Sequence, residues 1–192
     1  MIRKSIIFIL LLILVISCNS QKDIKVEQCE NSYEVSLSKS LLNPQNDSLS
    51  LNFPIKIGIK NNMSVGPLRL EKMTVFSDLD ATGQKNAMYS LTQKKKIYTE
   101  VKENIEHENF YKIIISYSIS KEEAERIVGK YHVSKTTELK NYNDSIKIIP
   151  YKNFIKDNGE YKQRMDKTPD FVRMMFRDQN NKTFIEELKI NW

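Results

Sequence analysis

The stretch LSLNFPIKIGIKNN (Leu49 to Asn62) decides the fold class. Leu49, Leu51, Phe53, Ile55, Ile57 and Ile59 recur at every second position, with Ser50, Asn52, Lys56, Gly58 and Lys60 between them. Side chains of an extended chain alternate between two faces, so this period predicts a strand with one buried and one solvated face. Pro54 brings no N–H to a ladder and falls on the polar face, which predicts an edge strand or a strand start. Asn61-Asn62 closes the run.

Working outward, the same grammar repeats. PLRLEKMTVFSDL alternates through Leu68 and Leu70, then slips to Met73 and Val75, the trace a β-bulge leaves. NFYKIIISYSI is rich in β-branched and aromatic residues and reads as a buried strand. SIKII precedes Pro150. YKNFIKDNGEYKQR carries Asn158-Gly159, a strong short-range hairpin signal. FVRMMFRDQNNKTFIEELKI reads as a last hairpin turning at Asp178 to Lys182, with Val172, Met174 and Phe176 sharing a face with Phe184, Leu188 and Ile190. The period changes once, in SKEEAERIVGKY. Ser120 and Glu123 form a capping box, Ala124, Ile127, Val128 and Tyr131 keep helical spacing, and Gly129 sits where the helix should stop. The expectation is an all-β, mainly antiparallel fold: a β-sandwich, with an immunoglobulin-like form as one version, and one short helix near 120–131. No Cys-Trp-Cys pattern supports a true immunoglobulin domain.

The N-terminus is a separate matter. Arg3 and Lys4 precede an uncharged apolar run, Ile6 to Ile16, which fits the roughly 7–15 residues of a secretory core and falls short of the about 20 that cross a bilayer. An uncleaved signal anchor is the alternative. The run ends in Val15-Ile16-Ser17-Cys18. This box resembles that of bacterial lipoproteins: an aliphatic residue three before the cysteine, a small residue just before it, and the cysteine at the cut. The resemblance covers about the first twenty residues. It implies that 1–17 is a signal peptide and that Cys18 becomes a lipidated N-terminus, anchored by covalent lipid. A single acyl chain holds only marginally, and two or three make attachment long-lived. Gln21-Lys22-Asp23 resembles the short export tag of surface lipoproteins in Bacteroidetes-type bacteria, and equally an ordinary polar tether. Residues 18–31 read as the lipidated cysteine and a flexible tether spanning roughly 20 Å, and residues 32–192 as one β-rich domain.

Composition narrows the function. The formal charge of +6 falls to +4 when Arg3 and Lys4 leave with the signal peptide, which is not a nucleic-acid footprint. Once Cys18 carries lipid, Cys29 has no partner within the chain, leaving an idle thiol or an interchain bridge. Asp78, Asp80, Thr82 and Gly83 match the opening of an EF-hand loop, but Tyr89 stands where a bidentate Glu belongs, so a turn is the better reading. His107 and His132 have no metal-site spacing. There is no G-x-S-x-G elbow and no Gly-rich phosphate loop. Lys94-Lys95-Lys96 suits a solvated turn or a protected sheet edge.

One surface invites a partner: Lys147, Tyr151, Lys152, Phe154, Lys156, Tyr161, Lys162 and Arg164 interleave charge with aromatic rings. Such a face could stack on sugars or meet an acidic protein. The alternative is a set of solvated strand faces. The sequence therefore predicts a non-enzymatic binding or envelope-assembly module on the outer membrane, facing the surface or the periplasm, with no cofactor, metal or nucleic acid. A periplasmic immunity lipoprotein that neutralises a toxin is the second reading, and a hydrolase with a site assembled from distant residues the third.

Overall fold

The computed structural model describes residues 24–39, 49–62, 66–77, 87–98, 100–141, 143–167 and 170–192. Cys18, the signal-like segment and the Asp78–Gly83 motif lie outside these residues. Two antiparallel sheets carry the fold. The large sheet contains β1 (Ile24–Cys29), β2 (Glu34–Lys39), β3 (Leu49–Asn61), β5 (Ala87–Ser90), β6 (Lys95–Ile97), β8 (Glu108–Ile119) and β9 (Ser145–Pro150). Its order is β6-β5-β8-β3-β2-β9, with β1 also paired to β3. The small sheet runs β11 (Thr183–Lys189), β10 (Phe171–Arg177), β4 (Leu68–Phe76), β7 (Glu100–Ile105). The sandwich-like, mainly antiparallel fold is as the alternation predicts. The strand order is not that of an immunoglobulin domain, and helices rather than a second full sheet cover part of the inner face.

β3 is the axis of the molecule. Its odd-numbered residues, Leu51 to Ile59, are fully buried and line up with Ile113, Ile115 and Tyr111 of β8. The small sheet contacts the β1 and β3 part of this inner face through β11 and β7, and adds Leu70, Met73, Met174 and Phe176 to the core. The helices lie over the β2, β3 and β9 part. There Phe53 meets Tyr151, Phe154, Tyr161 and Trp192 at ring-centroid distances of 6.4, 5.8, 6.1 and 6.2 Å. Such edge-on and tilted arrangements suit the aromatic quadrupole.

Pro54 corrects the edge-strand expectation. β3 is central, yet on one side it is paired in two instalments: β2 with residues 49–52 and β1 with residues 56–61. Pro54 falls in the gap between them. The N–H and C=O of one residue in a strand point to the same side. The Pro54 carbonyl accepts from Asn31 Nδ2 at 3.3 Å in that gap, so the missing N–H faces no partner strand. The tether expectation for 18–31 is corrected as well, since Ile24–Cys29 is a paired strand. Lys25-Val26-Glu27 alternates like the other strands but is too short and polar to be read alone.

The bulge in β4 is real. The register shifts between Leu70 and Lys72 on one side, and between Met175 and Phe176 of its other partner. The extra residue is Glu71, whose carboxylate takes Arg69 Nε at 3.4 Å and Arg177 Nε at 3.2 Å. The last hairpin has the expected register, with Phe176 opposite Phe184 and Val172 opposite Leu188. β6, carrying Lys95 and Lys96, forms the sheet edge.

The helix after Ser120 is α1 (Lys121–Tyr131), and Ser120 Oγ accepts from Glu123 N at 3.1 Å. It runs two residues past Gly129 and is closed by His132 in the left-handed region at φ 52°. Two further helices replace the expected Asn158-Gly159 hairpin: α2 (Tyr151–Asp157) and α3 (Gly159–Met165). Asn158 is a buried joint between them. Its amide donates to Tyr131 Oη at 2.6 Å and to the Phe154 carbonyl at 2.8 Å, and accepts from Lys130 Nζ at 2.9 Å. The cue was in the spacing. Tyr151, Phe154, Ile155, Asn158, Tyr161 and Met165 fall at helical intervals, and all are buried or half-buried.

Candidate functional site

The even-numbered side of β3 builds the site. Antiparallel register carries rows of outward side chains straight across the large sheet. One row reads Lys96, Tyr89, Lys112, Lys56 from β6 to β3. The next reads Ser116, Asn52, Ser36, Lys147 from β8 to β9. Ser50 and Ser38 sit together in a third. These short polar side chains form the floor of a groove of about 630 Å³, walled by Tyr33, Tyr89 and the longer lysines.

The floor is internally wired. Ser116 Oγ donates to Asn52 Oδ1 at 2.7 Å, and Asn52 Nδ2 donates to Ser38 Oγ at 3.0 Å. A chain of side-chain amide and hydroxyls thus crosses three strands. Asn52 is only 9% exposed and Ser50 2%. A buried polar group must be hydrogen-bonded to be tolerated, and this ladder meets that demand for Asn52.

Cations stand above the floor. Lys147 Nζ pairs with Glu34 at 3.0 Å at the rim. Lys112 is half-buried and has no carboxylate within ion-pair distance among the described residues. Its ammonium lies 4.6 Å from the Tyr33 ring centroid. Burial, then Lys147, hold the Lys112 ammonium below the ordinary lysine range. Lys39 Nζ is occupied by the Lys140 carbonyl at 2.7 Å, and Asp144 accepts the Lys140 and Asn141 amides at 2.8 and 2.6 Å. The groove is therefore polar and net cationic, with Lys112 a half-buried charge that no described carboxylate pairs.

The basic-aromatic face read from the sequence is divided by the fold. Lys147 alone points into the groove. Phe154 and Tyr161 are in the core beside Phe53, at 0% and 1% exposure. Tyr151 is half-buried, and burial pushes its phenol up to about 12. Lys152 pairs with Glu30 at 2.8 Å. Lys162 donates to Asp166 at 2.8 Å and to the Trp192 carbonyl at 2.5 Å. Arg164 lies 3.8 Å from Glu123, which also accepts the Tyr161 hydroxyl at 2.5 Å. Lys156 is exposed. The aromatic residues cannot stack on a ligand, because helical spacing turns them inward. The residues missed are Tyr33, Ser36, Asn52, Tyr89, Lys112 and Ser116. Each reads alone as an ordinary solvated strand position.

A second polar cluster lies between the sheets. Glu103 is 1% exposed, and its Oε1 accepts from Ser90 Oγ at 3.0 Å and Asn109 Nδ2 at 2.9 Å. Burial, then Glu103, push the neighbouring Tyr111 phenol well above its usual range. This cluster ties β7 to β5 and β8, and acts as a clamp between layers. Cys29 is a free thiol, packed where Gly58 leaves room: a Cβ there would meet its Sγ at 3.0 Å. His107 and His132 are exposed, and among the described residues no three His, Cys, Asp or Glu side chains gather as a metal site. Among the described residues no helix is long and apolar enough to cross a membrane.

Comparisons with protein-family models, curated proteins and solved structures gave no match to this chain.

Proposed function

We propose that the protein is a lipid-anchored binding module of the cell envelope, held to the outer membrane through Cys18, and that the groove on the outer face of its large sheet receives the ligand without chemical conversion. The observation that carries this reading is the floor itself. A sheet face that merely met water would be exposed, yet Asn52 is nearly buried, hydrogen-bonded across three strands and lines the groove. Concave polar surfaces with convergent donors and acceptors are binding surfaces by default. The lipobox-like Val15 to Cys18 supports the anchor. The second reading, an immunity lipoprotein, would use a mildly basic face to dock an acidic toxin.

The test uses full-length protein in detergent micelles. Cell-envelope material is separated into glycan, lipid and protein fractions, and each is added in a thermal-shift assay. The expected result is a fraction that raises Tm of the wild type but not of Ser116→Tyr, which fills the groove. If every fraction leaves Tm unmoved, or moves both proteins alike, the groove is not the binding surface. Loss of lipid labelling in Cys18→Ala tests the anchor separately.

A further inference from the structure

We propose that the groove takes a linear acidic glycan, with sugar carboxylates on Lys112 and Lys147, ring faces on Tyr33 and Tyr89, and hydroxyls on the Asn52–Ser116 floor. This inference rests on the binding reading above and names its ligand class.

Four observations lead there. First, Lys112 is a half-buried cation without a carboxylate partner among the described residues; its ammonium lies 4.6 Å from the Tyr33 ring centroid and feels the charge of Lys147. An incoming anion would supply what the fold withholds, and charge-assisted hydrogen bonds are the strong ones. Second, the floor presents hydroxyl and amide groups, each able to donate and accept, which is the chemistry that pairs with sugar hydroxyls. Third, two aromatic rings line the groove beside its cations: Tyr89 is registered beside both Lys96 and Lys112, and Tyr33 carries the Lys112 ammonium at 4.6 Å. Fourth, the two rows, overlapping on β8 and β3, together reach from β6 to β9 across six strands. At about 4.8 Å per strand that is about 24 Å, a span for a chain rather than a single sugar.

The same observations argue against a protein partner. The centres of protein interfaces are rich in aromatic and apolar side chains and depleted of Lys and Ser. This groove has serines at its centre and lysines around them. Its volume of about 630 Å³ also matches a site for a small ligand segment rather than a flat docking face.

The decisive experiment compares charge on one backbone. Full-length protein in micelles is titrated by calorimetry with polygalacturonate, with its fully methyl-esterified form, and with alginate and hyaluronate. At least one acidic glycan should bind, the methyl ester should not, and binding should weaken as salt rises. Lys112→Gln should weaken binding about tenfold, the loss of one charge-assisted hydrogen bond. Lys147→Gln, at a side chain 76% exposed, should weaken it by about threefold without touching the fold. Glu34→Gln should tighten it by about twofold, by releasing Lys147. Equal binding of the methyl ester, or binding indifferent to both lysines, would overturn the acidic ligand and leave groove binding standing. No binding by any of the four glycans, with a lipid or protein fraction protecting wild type but not Ser116→Tyr, would overturn the glycan alone. No binding here and no thermal shift from any fraction would remove both readings.

Discussion

The two faces of β3 belong to one strand and obey different rules. On the inner face, Leu51, Phe53, Ile55, Ile57 and Ile59 are wholly buried, and shape decides what fits. On the outer face, Ser50 and Asn52 are almost as deeply buried, yet hydrogen bonding decides what fits. The inner face is needed to fold. The outer face could have been solvated lysine and threonine at no cost to the core, so its hollow, wired character reports something other than stability. Burial alone does not identify a core. Burial of a polar face that opens into a groove among the described residues marks a candidate site.

The largest effect should come from the inner face. Phe53→Ala opens a void among Tyr151, Phe154, Tyr161 and Trp192 and should cost about 3–5 kcal/mol in denaturant unfolding. A loss below about 1 kcal/mol would mean that the helices are not seated on β3. Next comes the floor. Asn52→Ala removes two side-chain hydrogen bonds and should cost about 1–2 kcal/mol while abolishing ligand protection. Full stability with lost binding would sharpen the contrast further. A smaller effect, of opposite sign, is expected for Lys112→Met. The folded protein depresses this lysine's pKa, so its charged form opposes folding below that value, and the opposition fades as pH rises toward 10.5. Removing the charge should raise Tm by about 1–2 °C at pH 7. A drop in Tm would show that the ammonium is compensated.

The smallest effect lies at the far end of the outer face. Hydrogen bonds from Lys25 and Lys60 hold the Glu27 carboxyl below the usual range. A depressed carboxyl stabilises the fold above its unfolded pKa, and that contribution disappears as pH falls through the folded value. Glu27 lies at the surface with its side chain 32% exposed, so salt should erase much of the effect. Its titration, followed by carboxyl NMR shift, should move upward in 1 M salt. An unmoved midpoint would mean that the Lys25–Glu27–Lys60 cluster does not persist in solution.

The inner face was legible in the sequence, and the outer face was not. Alternation at Leu49 to Ile59, the slip at Met73, the cap at Ser120 and the last hairpin all rest on neighbours in sequence. Such patterns survive without knowledge of the fold. Asn158-Gly159 misled because its turn preference is local, whereas the deciding contacts come from Tyr131 and Lys130 on another helix. Gly159 takes no positive φ, so the property that makes the dipeptide a hairpin signal goes unused. The groove escaped for a different reason. Ser36, Asn52, Lys112 and Lys147 come from four strands, and only the register places them together. No window of sequence contains that juxtaposition.

The divided pairing along β3 has a dynamic consequence. β1 and β2 share a neighbour but no ladder hydrogen bond, since Pro54 leaves a blank between them. Opening β1 therefore need not loosen β2 or the groove floor built on it. Hydrogen exchange of the backbone amides should resolve two clocks on one side of a single strand, the faster one at residues 24–29. The segment nearest the proposed anchor can thus fray and reclose while the groove stays intact.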